Sequence, residues 1–109
     1  MAEKVGPLNG VRAVTCSTAQ AGTVPYMMMA ALGAEVIKVE VPGVGDGSRT
    51  AGELRGDISS FFETNNRGVK SITLNLKSEE GQKILHRLVE TADISVSYTH
   101  LTLPTNREV

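Results

Sequence analysis

Leu32-Gly33-Ala34-Glu35-Val36-Ile37-Lys38-Val39-Glu40 holds a helix stop, a very short connection and a strand in one unbroken run. Gly33 suits the left-handed position that closes a helix. Val36, Ile37 and Val39 are β-branched and make residues 35–40 a strand. A connection of about two residues between helix and strand is the economy of a βαβ unit. Working back from Gly33, Val24, Met27, Met28, Ala31 and Leu32 fall at i, i+3, i+4, i+7 and i+8, which predicts an amphipathic helix with that stripe buried. Residues 17–23 are small apart from Gln20. Before them, Val11-Arg12-Ala13-Val14-Thr15-Cys16-Ser17 follows an Asn9-Gly10 turn and reads as the first strand.

Beyond Glu40 the character changes. Residues 41–60 contain Gly43, Gly45, Gly47, Gly52 and Gly56 among mixed charges, and read as a long loop that buries little, a place for ligand or partner contact. Ser71-Ile72-Thr73-Leu74-Asn75-Leu76 alternates, with Ile72, Leu74 and Leu76 on one face of a third strand. Ser78 then caps a helix whose first turn carries Glu79 and Glu80 and whose buried stripe is Ile84, Leu85, Leu88, Val89 and Ala92. Asp93-Ile94 opens a fourth strand. The order β, α, β, loop, β, α, β is a layered α/β domain of the nucleotide-binding type with a mostly parallel sheet.

Composition narrows the function. The 109 residues fit one small domain, and a net charge of -1 removes the basic surface expected of a nucleic-acid binder. The longest apolar run, residues 24–32, is about half of a membrane span, and the N-terminal Met-Ala-Glu-Lys-Val-Gly-Pro lacks a signal-peptide core, so the chain reads as cytoplasmic. One cysteine and two histidines leave no disulfide framework and no zinc spacing.

The first strand-to-helix turn lies where open α/β sheets place ligands, and Gln20 is its one long polar group, as suited to a ligand as to a solvated turn. Gly43-Val44-Gly45-Asp46-Gly47 resembles part of a dinucleotide fingerprint but follows the second strand with no apolar helix after it, so we reject that reading and assign the glycines to sharp turns. Arg49, Arg55, Arg67, Lys70 and Lys77 suit phosphate oxygens, but interleaved Asp46, Glu53, Asp57 and Glu63 favour a solvated face. Cys16 reads as core and His86 as a solvated side chain on the charged side of its helix. The three consecutive methionines, Met27 to Met29, read as core packing plus one exposed neighbour. No catalytic group stands out from these residues.

Pro7-Leu8-Asn9-Gly10-Val11-Arg12, Ala21-Gly22, residues 32–40, Gly43 to Asp46, Ser48-Arg49, Phe61-Phe62, Asn66-Arg67-Gly68, Ser71-Ile72-Thr73-Leu74 and Glu80-Gly81 together resemble the N-terminal blocks of the family III CoA-transferases, the carnitine and bile-acid group. The resemblance covers residues 7–94. It implies a Rossmann-like N-terminal region, a full-length enzyme that is an interlocked homodimer, and transfer of coenzyme A between an acyl-CoA and a carboxylic acid. Coenzyme A is then a substrate, with no tightly bound cofactor. In this family an aspartate attacks the thioester to give an acyl-aspartyl anhydride and then an aspartyl-CoA thioester, splitting one transfer into easier steps. The family places that aspartate well past the length of this chain, so no residue here inherits the role and the fragment itself is expected to be inactive.

By the same resemblance, the CoA contacts fall on Gln20, Ala21, Leu74, Asn75, Leu76 and Lys77. Three departures stand out. Val41 replaces a basic residue common in the family, Thr15-Cys16 replaces its first-strand aspartate, and Gly22-Thr23-Val24-Pro25-Tyr26 alters its Gly-Pro-Tyr. One alternative shares these blocks, an α-methylacyl-CoA racemase, which works by proton transfer; another is a non-catalytic CoA- or nucleotide-binding module. Residues 1–95 are therefore expected to be the N-terminal part of a family III domain. Residues 96–109 do not continue the family's blocks. Residues 96–105 can be back-translated as a transposon-type sequencing adapter, and the expectation is a non-native tail.

Overall fold

The computed structural model describes residues 6–17 and 22–96, the last by its backbone alone. Strand β1 (Arg12–Thr15) leads through helix α1 (Val24–Ala31) into β2 (Glu35–Glu40). A 3-10 turn (Gly47–Thr50), a hairpin of β3 (Leu54–Arg55) and β4 (Ile58–Ser59), and helix α2 (Ser60–Asn65) come next. The chain then forms β5 (Lys70–Thr73), α3 (Glu79–Glu90) and β6 (Ile94–Val96). Four strands make one parallel sheet in the order β5-β2-β1-β6, and β3 pairs antiparallel with β4. The sheet grows outward from β1 in both directions, the half-order 3-2-1-4 of a doubly wound fold.

Alternation along the strands separates two cores. On one face Ala13 and Val36 pack with Tyr26, Ala30 and Ala34, under α1. On the other Val14, Cys16 and Val39 pack with Leu85, against which Leu74, Leu76, Leu88, Val89 and Ala92 lean, under α3. Helices on opposite faces follow from right-handed crossovers that run in opposite directions across the sheet, from β1 to β2 through α1 and from β5 to β6 through α3. The layered, Rossmann-like α/β fold expected from the sequence is therefore present, and β2 has the predicted ends.

At the opposite, amino-terminal edge, Glu35 binds both Arg12 (2.6 Å) and Lys70 (2.8 Å), while Arg12 Nη1 donates to Thr91 and its backbone exchanges hydrogen bonds with Asp93. Three strands and the end of α3 are thereby tied together.

Several expectations are corrected. Helix α1 buries Tyr26 and Ala30, with Met29 half-buried beside them, while Met28 is 57% exposed and Leu32 46% exposed. No residue of α1 is charged, so the pattern defined no unique inward stripe, and the small residues of the sheet select the Tyr26–Ala30 face. On α3, Ile84 is exposed, whereas Leu85, Leu88, Val89 and Ala92 face the sheet as predicted. Strand β5 stops at Thr73 instead of Leu76, and Ile72 is partly exposed. His86 is half-buried with Nε2 sealed from solvent, not solvated. The glycine-rich segment is not a bare loop: it carries the 3-10 turn and the hairpin and buries Asp46, Ser48 and Ser59.

Candidate functional site

Ligands of open α/β sheets sit outside the carboxyl ends of the strands, where the strand order reverses. Here that edge comprises Cys16 and Ser17 after β1, the glycine-rich segment after β2, residues 74–77 after β5 and the end of β6. The reversal lies between β1 and β6, since the connections run from β1 to β2 to β5 on one side and return to β6 on the other.

The four predicted contacts after β5 form a tight corner. Leu74 N–H donates to the Glu40 carbonyl (3.1 Å), which extends the β2–β5 ladder by one residue. Leu74 and Leu76 point into the α3-side core, leaving Asn75 and Lys77 exposed. Asn75 Oδ1 accepts from Lys77 N–H (3.1 Å), and its carbonyl accepts from both Ser78 N–H and Ser78 Oγ. Ser78 Oγ in turn accepts Gly81 N–H (3.0 Å), capping α3 as predicted, and Gln82 Nε2 donates to the Leu76 carbonyl (2.9 Å). The corner is thus fixed to the start of α3, with backbone and two polar side chains facing outward. Gln20 and Ala21, the other two predicted contacts, lie outside the described residues. The ends of β1 and β5 are two strand spacings apart, about 10 Å.

The residues that sequence reasoning missed are ionic. Lys38 is 1% exposed, and its ammonium donates to Asp46 Oδ2 and to Asn66 Oδ1 (2.9 Å). Asp46 caps the 3-10 turn by accepting from Ser48 N–H and Oγ. Glu40 takes the Arg49 guanidinium on both oxygens (2.8 and 2.7 Å), together with Ser71 Oγ and Asp46 N–H (2.7 Å). The Phe62 ring from α2 lies under both cations, 4.0 Å from Arg49 and 5.3 Å from Lys38. Two cations and two carboxylates balance, which is how charges survive burial.

Arg49 holds the Glu40 carboxyl down at about 2, with Ser71 and Asp46 N–H adding to it against the opposing effect of burial. Burial alone would raise Asp46, but Lys38 and the Ser48 donors prevail and keep it below its ordinary value. Gly45 permits the closure: its φ is +70°, and a Cβ there would stand 2.6 Å from Glu40 Oε1. Breaking one partner of a buried pair costs about 3–5 kcal/mol, so the segment after β2 is held firmly on the sheet. The signal in the sequence was two charges, Lys38 and Glu40, alternating with Ile37 and Val39 on a strand with both faces covered.

Of the five cations weighed as phosphate ligands, Arg49 and Lys70 are engaged by Glu40 and Glu35, whereas Arg55, Arg67 and Lys77 are exposed. Cys16 is buried in the α3-side core, and burial pushes its thiol up to about 11, which makes it an inert packing group at neutral pH. Among the described residues no cluster of three histidine, cysteine or acidic side chains could hold a metal, and no helix is long and apolar enough to cross a membrane.

Comparison with known proteins adds what the edge alone does not. The model of the family described as CoA-transferase family III matches residues 8–100. The chain belongs to that family. This family III chain is 41% identical over 93 residues to human succinyl-CoA:glutarate CoA-transferase, covering 84% of the chain and 21% of the relative. It is 39% identical to acetyl-CoA:oxalate CoA-transferase of Acetobacter aceti, over 85% of the chain and 24% of the relative. Among solved structures, a CAIB/BAIF family protein from Brucella suis superimposes with a TM-score of 0.78 at 36% identity, over 86% of this chain and 26% of that one. The family III chain thus spans between a fifth and a quarter of the length of the two CoA-transferases it matches.

Proposed function

We propose that this chain is the acyl-CoA-binding front part of a CoA-transferase that exchanges coenzyme A between a thioester and a carboxylic acid. Gln20, Ala21, Leu74, Asn75, Leu76 and Lys77 contact the CoA. The observation that carries the reading is the corner at residues 74–77. In a chain of family III it sits at the carboxyl edge of a parallel sheet, locked to α3, and presents Asn75 and Lys77 outward. The named substrates of the relatives, an acyl-CoA paired with glutarate or oxalate, support a thioester and a carboxylate as the reacting pair.

In this reading the chain binds and orients coenzyme A, and the attacking carboxylate belongs to sequence outside it. The isolated fragment is therefore inactive, and the whole enzyme is an interlocked homodimer in the cytoplasm with acyl-CoA and a carboxylic acid as its small-molecule partners. Residues 96–109 form a non-native tail in the same proposal.

Titration calorimetry of the 109-residue chain with coenzyme A tests it. Binding without turnover is expected, and Lys77→Ala should weaken it about five- to tenfold through loss of a charge-assisted contact. A wild-type chain that takes up no coenzyme A would overturn the reading.

A further inference from the structure

Among the described residues only two buried side-chain polar atoms lack a hydrogen-bond partner, and one of them is Ser17 Oγ. Ser17 is fully buried, two residues past the end of β1 and beside the reversal of strand order. Its backbone N–H is satisfied by Thr15 Oγ1 (3.0 Å). An unpaired buried hydroxyl is a penalty that folds do not normally keep without a reason, and a bound water, ion or ligand is one such reason.

The surroundings limit what that group can be. Thr15 and Cys16 beside it are buried, and burial raises the Cys16 thiol, the mark of a site that disfavours charge. Among the described residues no cation hydrogen-bonds to Thr15, Cys16 or Ser17. The exposed Lys77 stands two strands away, at the end of β5. Coenzyme A has two matching halves, a charged nucleotide and a neutral arm of amides and a hydroxyl.

We propose that Ser17 Oγ is a binding group for the neutral pantetheine arm of the acyl-CoA, which crosses the carboxyl edge from the nucleotide at Lys77 toward the β1–β6 crevice. This rests on the CoA-binding reading above and adds a residue and a direction to it. The hydroxyl can both donate to an amide carbonyl and accept from an amide N–H. It is sealed in the unliganded chain, so the end of β1 must open locally to admit the arm.

The experiment uses the 109-residue chain, Ser17→Ala, the near-isosteric Ser17→Cys and Lys77→Ala, with coenzyme A and 3′,5′-ADP, which lacks the arm, as probes. Both Ser17 variants should weaken coenzyme A about 2- to 12-fold and leave 3′,5′-ADP unchanged, whereas Lys77→Ala should weaken both. Without ligand, Ser17→Ala should raise Tm by about 2–8 °C, because it removes an unpaired hydroxyl. Unchanged coenzyme A affinity in the Ser17 variants, equal losses for the two probes, or a lower Tm in Ser17→Ala would each overturn the assignment of Ser17 while leaving CoA binding intact. Failure of the wild-type chain to bind either probe would instead remove the reading on which the assignment rests.

Discussion

Glu40 shows how one side chain can be read only with its partners. On a strand it counts as an exposed carboxylate every second residue; in the fold it receives Arg49, Ser71 and the Asp46 N–H and is 5% exposed. Its carboxyl falls from an ordinary 4.5 to about 2 on folding. A depressed folded value means that the stabilisation is complete above the unfolded value and is lost as pH falls toward the folded one. Thermal stability should therefore drop steeply between about pH 4.5 and 2, and Glu40→Gln should flatten that slope while lowering Tm at pH 7. A slope identical in the variant would show that Glu40 does not carry this linkage. Lys38, its neighbour on the same face, gave no hint of its destination: Asp46 and Asn66 are 8 and 28 residues away, and only the fold brings them to one ammonium.

Elements were legible in proportion to the contrast in their patterns. Strand β2 was readable to the residue because charged and β-branched positions alternate between Gly33 and the glycine-rich segment. Helix α3 was readable in its cap and most of its buried face, since Ser78, the two glutamates and the leucines differ sharply in polarity. Helix α1 offered apolar residues at every position, so the periodicity pointed outward as readily as inward. Helix α2 is one short stretch whose Phe62 is fixed by the cations above it, which no local pattern reveals. Of the candidate site, the corner after β5 was named only through resemblance, and the ionic lattice behind β2 not at all.

Gly81 tests that corner at the level of the element. In a helix interior, alanine ordinarily gains up to about 1 kcal/mol over glycine. Here its Cβ would meet the Asn75 carbonyl oxygen at 2.0 Å, which forces α3 away from residues 74–77. Gly81→Ala should thus lower stability by roughly 1–3 kcal/mol, against the propensity scale, and weaken coenzyme A in step. A rise in Tm would show that the contact can relax.

At the scale of the molecule, apolar surface is left open on several sides. Met28 and Leu32 stand on the outer face of α1, Ile84 on α3, and Leu54 and Ile58 on the hairpin. Contiguous apolar patches on an isolated chain drive association. The double variant Met28→Lys/Leu32→Lys should lower light scattering and hydrophobic-dye binding, with Tm within a few degrees of the parent because neither side chain is buried. Unchanged scattering would place the association elsewhere.

The central strand carries a last consequence, in time. Strand β1 is made first yet lies between β2 and β6, and its pairing with β6 joins Arg12 to Asp93 across 81 residues. At about 5–20 residues per second, roughly 4–16 s of synthesis separate the two strands. Once β2 is made, β1 has β2 on one side and an open edge on the other until β6 follows. Such distant pairing slows folding and leaves the nascent chain a target for chaperones or for mispairing with a neighbouring copy. The order of strands that shapes the carboxyl edge thus makes β6 the last of the four to arrive.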